Sequence, residues 1–215
     1  MKTLVGSWFL LILVGTLHAE VPKPEAKIQV FVYNYAGVAP KTLARAEREA
    51  ARIYTRTGIE TEWLECPLTP GEAAQYLACQ LPVSPLRVAI RVLSRSMSER
   101  LGLSQQTFGS ALLSEDGGFG TIAQVCAHCS EELAKGSESM YAAMLGLVMA
   151  HEMGHLLLGA GSHSASGLMH VPWQKKALES VAQGTLVFTP REGERMRQQV
   201  FARLRGQEPM QASRN

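Results

Sequence analysis

The stretch from Ser137 to Gly159, SESMYAAMLGLVMAHEMGHLLLG, constrains the fold of this 215-residue chain more than any other. From Met144 onward it is apolar except for one His–Glu pair and a second histidine four residues after the first. Ser137 or Ser139 is placed to cap a helix, Glu138 suits the positive end of its dipole, and Gly159 offers a stop. The spacing therefore predicts one helix from Ser137 to Leu158. An apolar surface this continuous belongs to a buried helix, where unpaired polar groups cost several kcal/mol. His151, Glu152 and His155 must find partners there.

Each helical residue advances about 100°, so His151 and His155 stand about 40° apart and one turn apart in height. Both imidazoles can reach one metal ion, while Glu152 projects beside that ion. This is the HExxH arrangement, in which the histidines hold zinc and the glutamate takes a proton from the activated water and delivers it to the leaving amine. Zinc contributes by lowering the pKa of that water to about 7 and polarising the carbonyl. One catalytic Zn2+ is expected, and a tetrahedral catalytic site needs a third protein ligand. His163, eight residues past His155, is favoured. The Gly159–Ala160–Gly161 turn leads back towards the metal, and Ser162 and Ser164 are placed to orient the loop. Glu179 and His170 are the other candidates.

The chain opens MKTLVGSWFLLILVGTLHAEVPKP, with one lysine, an apolar run from Leu4 to Leu17 and a small residue at Ala19. This is the layout of a secretory signal peptide cleaved after Ala19. The run is shorter than the roughly 20 residues needed to span a bilayer, so no stable membrane insertion is expected after cleavage. No second stretch stays free of charge for long enough to span. The expected location is secreted or periplasmic. Taking 19 residues from 215 leaves 196, enough for one domain with its own core, and losing Lys2 takes the formal charge from +2 to +1. That balance gives no basis for nucleic-acid binding. A monomer acting on a peptide or protein substrate is expected.

Four cysteines in an exported chain suggest disulfides. Cys66 and Cys79 bracket a Pro- and Gly-bearing excursion and are the favoured pair. Cys126 and Cys129, in C-A-H-C, read as a local disulfide or free thiols, with metal or redox roles as lesser readings. His128 between them reads as an exposed loop histidine that a groove could reach.

Periodicity places strands at Ile28–Tyr35, Ile59–Leu64, Leu86–Leu93, Ser110–Ser114 and Gly120–Cys126. The residues EDGGFG supply a turn between the last two. Helices are expected at Pro40–Thr57 (ended by Gly58), Trp173–Ala182 and Pro190–Leu204, besides the long one, with an extended connector at Gly184–Phe188. The fold class is α+β, a mixed, mostly β sheet with helices packed on it. The boundaries are a signal peptide at 1–19, a linker at 20–27, the domain at 28–205 and a polar tail at 206–215.

HEMGHLLLGAGSHS followed by GLM resembles the metzincin metallopeptidases, especially the matrixin and archaemetzincin branches. Their pattern is HExxHxxGxxH and then a methionine turn. By that resemblance His151, His155 and His163 are the zinc ligands, Glu152 the general base, Gly159 the bend and Met169 the methionine beneath the metal. The family places its glycine three residues and its third histidine six residues after the second histidine. Here the distances are four and eight. The chain is also similar to exported bacterial zincin-like proteins with HExGHLLLG and SHS–GIM. The resemblance implies a zincin fold and a zinc metalloendopeptidase whose substrate adds a strand to a sheet edge. Gly120, Thr121, Ile122 and Ala123 are the edge candidates. A non-catalytic, zinc-stabilised peptide-binding protein is the alternative.

Overall fold

The computed structural model describes residues 26–81, 84–103, 107–115, 119–173 and 175–207. The expected signal peptide, most of the linker, most of the polar tail and part of the EDGGFG turn lie outside the described residues.

The chain forms five strands, the first three with alternating burial: β1 (Lys27–Asn34), β2 (Glu60–Glu65), β3 (Arg87–Leu93), β4 (Gly109–Leu113) and β5 (Gly120–Cys126). They form one mixed sheet in the order β2–β1–β3–β5–β4. β2, β1, β3 and β5 run parallel, and β4 pairs antiparallel with β5. On the helix face, Ile28, Val30, Val32, Val88, Ile90, Val92, Ala123 and Val125 are fully or nearly fully buried. Each such Val or Ile side chain withdrawn from water contributes about 1.5–3 kcal/mol before the entropy of ordering is subtracted.

Two helices cover most of that face: α1 (Pro40–Thr55) and α5 (Glu138–Leu158). α1 carries Pro at its start and buries Leu43, Ala46, Ala50, Ile53 and Tyr54 against α5. The hydroxyl of the fully buried Tyr54 donates to the Ala150 carbonyl at 3.2 Å, so no polar atom is stranded there. Ser137 caps α5 through its hydroxyl, which accepts from Met140 N at 3.3 Å, and Gly159 ends the helix with φ 82° and ψ −174°, a positive-φ but not left-handed helical stop. Among the described residues α5 is the one helix long and apolar enough to cross a membrane, but 83% of that window is buried inside the fold.

α6 (Lys175–Ala182) and α7 (Pro190–Gln207) complete the layer. α7 fastens the end of α5: Arg203 donates to Leu156 O at 2.6 Å and to Pro85 O at 2.9 Å, and Arg195 donates to Leu158 O at 3.4 Å. Carbonyls of a last helical turn have no partner within the helix, and these guanidiniums supply one.

The far face has a lighter cover. The excursion after β2 forms a short helix, α2 (Pro70–Ala73), and a 3-10 turn at Leu77–Gln80, tied down by the Cys66–Cys79 disulfide. At the carboxyl end of the sheet, α3 (Arg95–Arg100) and α4 (Ala127–Ala134) flank a second, smaller core of Leu93, Leu103, Cys126 and Cys129. Sequence periodicity missed α2, α3 and α4. Each is eight residues or fewer, too short for a helical repeat to stand out.

Candidate metal centre

α5 delivers His151 and His155 from one side, and the loop that follows Gly159 returns His163 to them. One nitrogen from each of the three rings lies within 4.8 Å of the others. His151 is buried, His155 partly so and His163 exposed, so the cluster runs from the core to solvent. Burial, then the neighbouring rings, lowers His151 to about 3 and His155 to about 4, which leaves both imidazoles neutral at pH 7.

Their outer nitrogens are already engaged. His151 Nδ1 lies 3.0 Å from the Leu168 carbonyl, which can only accept, so Nδ1 carries the proton and Nε2 presents a bare lone pair. His155 Nδ1 meets the buried Ser162 hydroxyl at 2.8 Å. The two Nε2 atoms are 3.1 Å apart. At that distance either His155 Nε2–H donates to the bare His151 Nε2 or, with the Ser162 hydroxyl accepting from His155 Nδ1, a cation sits among the lone pairs. Two neutral imidazoles oriented by partners on their outer nitrogens, with the His163 ring beside them, fit a borderline-soft divalent ion such as zinc.

Met169 is fully buried against Gly154 of α5. A Cβ at 154 would stand 2.9 Å from Met169 Sδ and 2.9 Å from the Phe188 ring, so only glycine admits this packing. Ser164 N donates to Met169 O at 3.1 Å, which closes the turn. Trp173 closes another side, its ring 5.3 Å from His151 and 5.6 Å from Phe108.

Glu152 is 5% exposed, and burial pushes its carboxyl up to about 8. It has no hydrogen-bond partner among the described residues and rests against Gly109 of β4. A carboxyl so placed is able to hold a proton near neutral pH and release it to a group that enters the site.

The other expected residues fall elsewhere. His170 is exposed and its Nδ1 donates to Ser164 O at 3.0 Å, within the turn. Glu179 is exposed on α6 and is not part of the cluster. The expected edge at Gly120–Ala123 is corrected: β5 is paired by β4 from Gly120 and by β3 from Ile122 onward, so it lies inside the sheet. The edge beside Glu152 is β4. Cys126 and Cys129 are bonded to each other, and His128 is half-buried in the first turn of α4, with Nδ1 3.2 Å from Cys126 Sγ, rather than in an exposed loop. It lines a separate cavity of about 820 Å³ beyond the carboxyl ends of β1, β3 and β5, which shares no lining residue with the histidine cluster. Sequence reading missed Gly109, the Leu168 carbonyl and Trp173, which are distant in the chain and carry no motif.

No family model and no curated protein sequence matches this chain. Its fold is similar to that of a zinc-dependent peptidase from Methanocorpusculum labreanum, with a TM-score of 0.52 and 12% identity over 78% of this chain and 99% of that one. It is also similar to archaemetzincin from Methanopyrus kandleri, with a TM-score of 0.50 and 13% identity over 84% of this chain and 99% of that one. At such identities the likeness is one of fold.

Proposed function

We propose that the chain is a secreted zinc-dependent metalloendopeptidase that hydrolyses peptide bonds with Glu152 as general base. The observation that carries this reading is the convergence of three imidazole nitrogens at the helix that carries a buried carboxyl with no hydrogen-bond partner among the described residues. The zinc-dependent peptidases that share the fold support it. His151, His155 and His163 would hold the ion, which supplies Lewis acidity for water and the scissile carbonyl when bound. Glu152 takes a proton from the attacking water and passes it to the leaving nitrogen. Its raised pKa suits both halves of that transfer. The Leu168 carbonyl fixes His151 in the tautomer that leaves Nε2 bare, and Ser162 holds His155 Nδ1 so that its Nε2 faces inward. The substrate strand is assigned to β4, whose outer edge has no strand partner among the described residues and which touches Glu152 through Gly109.

The test is Glu152→Gln in the purified, zinc-loaded chain, assayed on a mixed peptide library. Retained zinc with hydrolysis reduced at least about 100-fold is expected for loss of the base. Hydrolysis at the parent rate overturns the mechanism. Saturable peptide binding without hydrolysis by the parent would replace the enzyme reading with a zinc-stabilised binding protein.

A further inference from the structure

The far face of the sheet holds a hollow with its own chemistry. Strand register aligns Leu64, Phe31, Ala89, Ile122 and Leu112 in one row across all five strands. Ala89 is the smallest side chain in that row and forms the floor of a gap between Phe31 and Ile122. The gap opens into a cavity of about 380 Å³, roofed by Cys79 and Leu81 of the disulfide-tethered excursion. Pockets of about 300–1,000 Å³ hold small molecules.

Two arginines stand on either side of the floor, Arg87 and Arg91, each two residues along β3 from Ala89. Among the described residues no carboxylate lines the cavity. Arg87 donates to Gln29 Oε1 at 3.3 Å and its guanidinium lies 4.9 Å from the Phe31 ring centroid. Arg91 is partly buried and has no hydrogen bond or ion pair among the described residues. A partly buried guanidinium with no acceptor among the described residues is open to one from a ligand, and a carboxylate matches its planar fork with two parallel hydrogen bonds. Beside Arg91, in register on β1, Tyr33 stacks with Tyr35 at 6.4 Å between centroids and 19° between planes, giving the cavity a flat aromatic wall.

We propose that this cavity binds a carboxylate ligand with a flat apolar body, its carboxylate on Arg91 and its body between the tyrosine pair and the Ala89 floor. A single unpaired guanidinium over an apolar floor suits one negative charge on an apolar frame better than a multiply charged inorganic anion. The site does not depend on the peptidase reading: Ile90 and Ala123 turn towards the helices while Ala89 and Ile122 turn away, so the sheet lies between this cavity and the histidine cluster.

The probes are 4-phenylbutyrate, its neutral amide and inorganic phosphate, titrated into the full chain and followed by amide NMR shifts with and without a zinc chelator. Saturable binding of the acid is expected, with shifts centred on Tyr33, Arg91 and Thr121. The amide should bind at least about tenfold more weakly, as loss of a charge-assisted pair implies. Arg91→Gln should weaken the acid by a similar factor and leave the amide unchanged, while Ala89→Leu should exclude both. Chelation should alter neither affinity. The proposal is overturned by equal binding of acid and amide, by unchanged acid binding in Arg91→Gln, by phosphate competing as well as the acid, or by no saturable binding at millimolar acid. Retention of the parent's dispersed NMR spectrum by Arg91→Gln separates loss of the site from loss of the fold.

Discussion

Gly109 on the edge strand lies directly against the carboxyl arm of Glu152: a Cβ at position 109 would stand 2.6 Å from Glu152 Cγ and 2.8 Å from Cδ. The same Cβ would stand 2.6 Å from the Gln124 carbonyl oxygen, which belongs to the sheet and has little room to move.

Gly109→Ala is therefore expected to displace Glu152 without touching a histidine. Overpacking of this kind costs about 1–3 kcal/mol of stability. Peptide hydrolysis should fall by about 100-fold or more, because misplacing a catalytic group by about 1 Å is that expensive. Metal content, measured by mass spectrometry of the purified protein, should stay at the parent level. Parent-like turnover in this variant would show that the strand does not position the carboxyl.

Ser162 meets His155 Nδ1 at 2.8 Å, and the loop that brings it there is two residues longer than the metzincin spacing. Ser162→Ala should weaken zinc binding by about 10–100-fold, the usual effect of removing a ligand's hydrogen-bond partner. Competition against a fluorescent chelator measures this directly. Ser162→Thr, which keeps the hydroxyl, should restore most of the affinity. Equal affinities for the Ala variant and the parent would make the hydroxyl incidental.

His163→Ala and His170→Ala separate the two histidines of the return loop. The first should strip the metal at micromolar free zinc, because its nitrogen lies with those of His151 and His155. The second removes only the hydrogen bond to Ser164 O, an exposed contact worth about 1 kcal/mol. Metal loss in the second variant but not the first would move the third ligand to His170.

Glu47 offers a pH prediction away from the metal. Burial, then the Glu65 charge, pushes its carboxyl up to about 7, and its Oε1 is buried without a hydrogen-bond partner. A raised acid binds its proton more tightly in the folded chain than in the unfolded one. Its contribution therefore favours folding at low pH and is lost as pH rises from about 4.5 through 7. Tm should fall over that window, and Glu47→Gln should flatten the fall. An identical Tm difference between pH 5 and pH 7 in both proteins would show that Glu47 is not responsible.

What was legible in the sequence was whatever has a period or a motif. The 3.6-residue repeat in Leu43, Ala46, Ala50 and Ile53 gave α1, alternation gave the strands, and HExxH gave the placement of His151, Glu152 and His155 on one helix. The cysteine pair around the Pro-rich excursion was readable because few residues separate them. Strand order was not, since pairing depends on contacts between residues far apart in the chain. That is why Gly120–Ala123 reads as the edge from its place before the long helix in sequence, although β4 lies outside it. Gly109 and the Leu168 carbonyl escaped for the same reason. A glycine or a backbone oxygen shows its value only once its neighbour in space is known.

The distribution of sulfur carries one more consequence. Both disulfides belong to the far side of the sheet or its carboxyl end, while all three donors of the histidine cluster are nitrogen. Oxidation and metal loading thus draw on different atoms. Cysteine oxidation removes no donor of the histidine cluster, and an ion held there would not shield a thiol awaiting its partner. Crosslinking and metal binding at the histidine cluster thus compete for no donor atom.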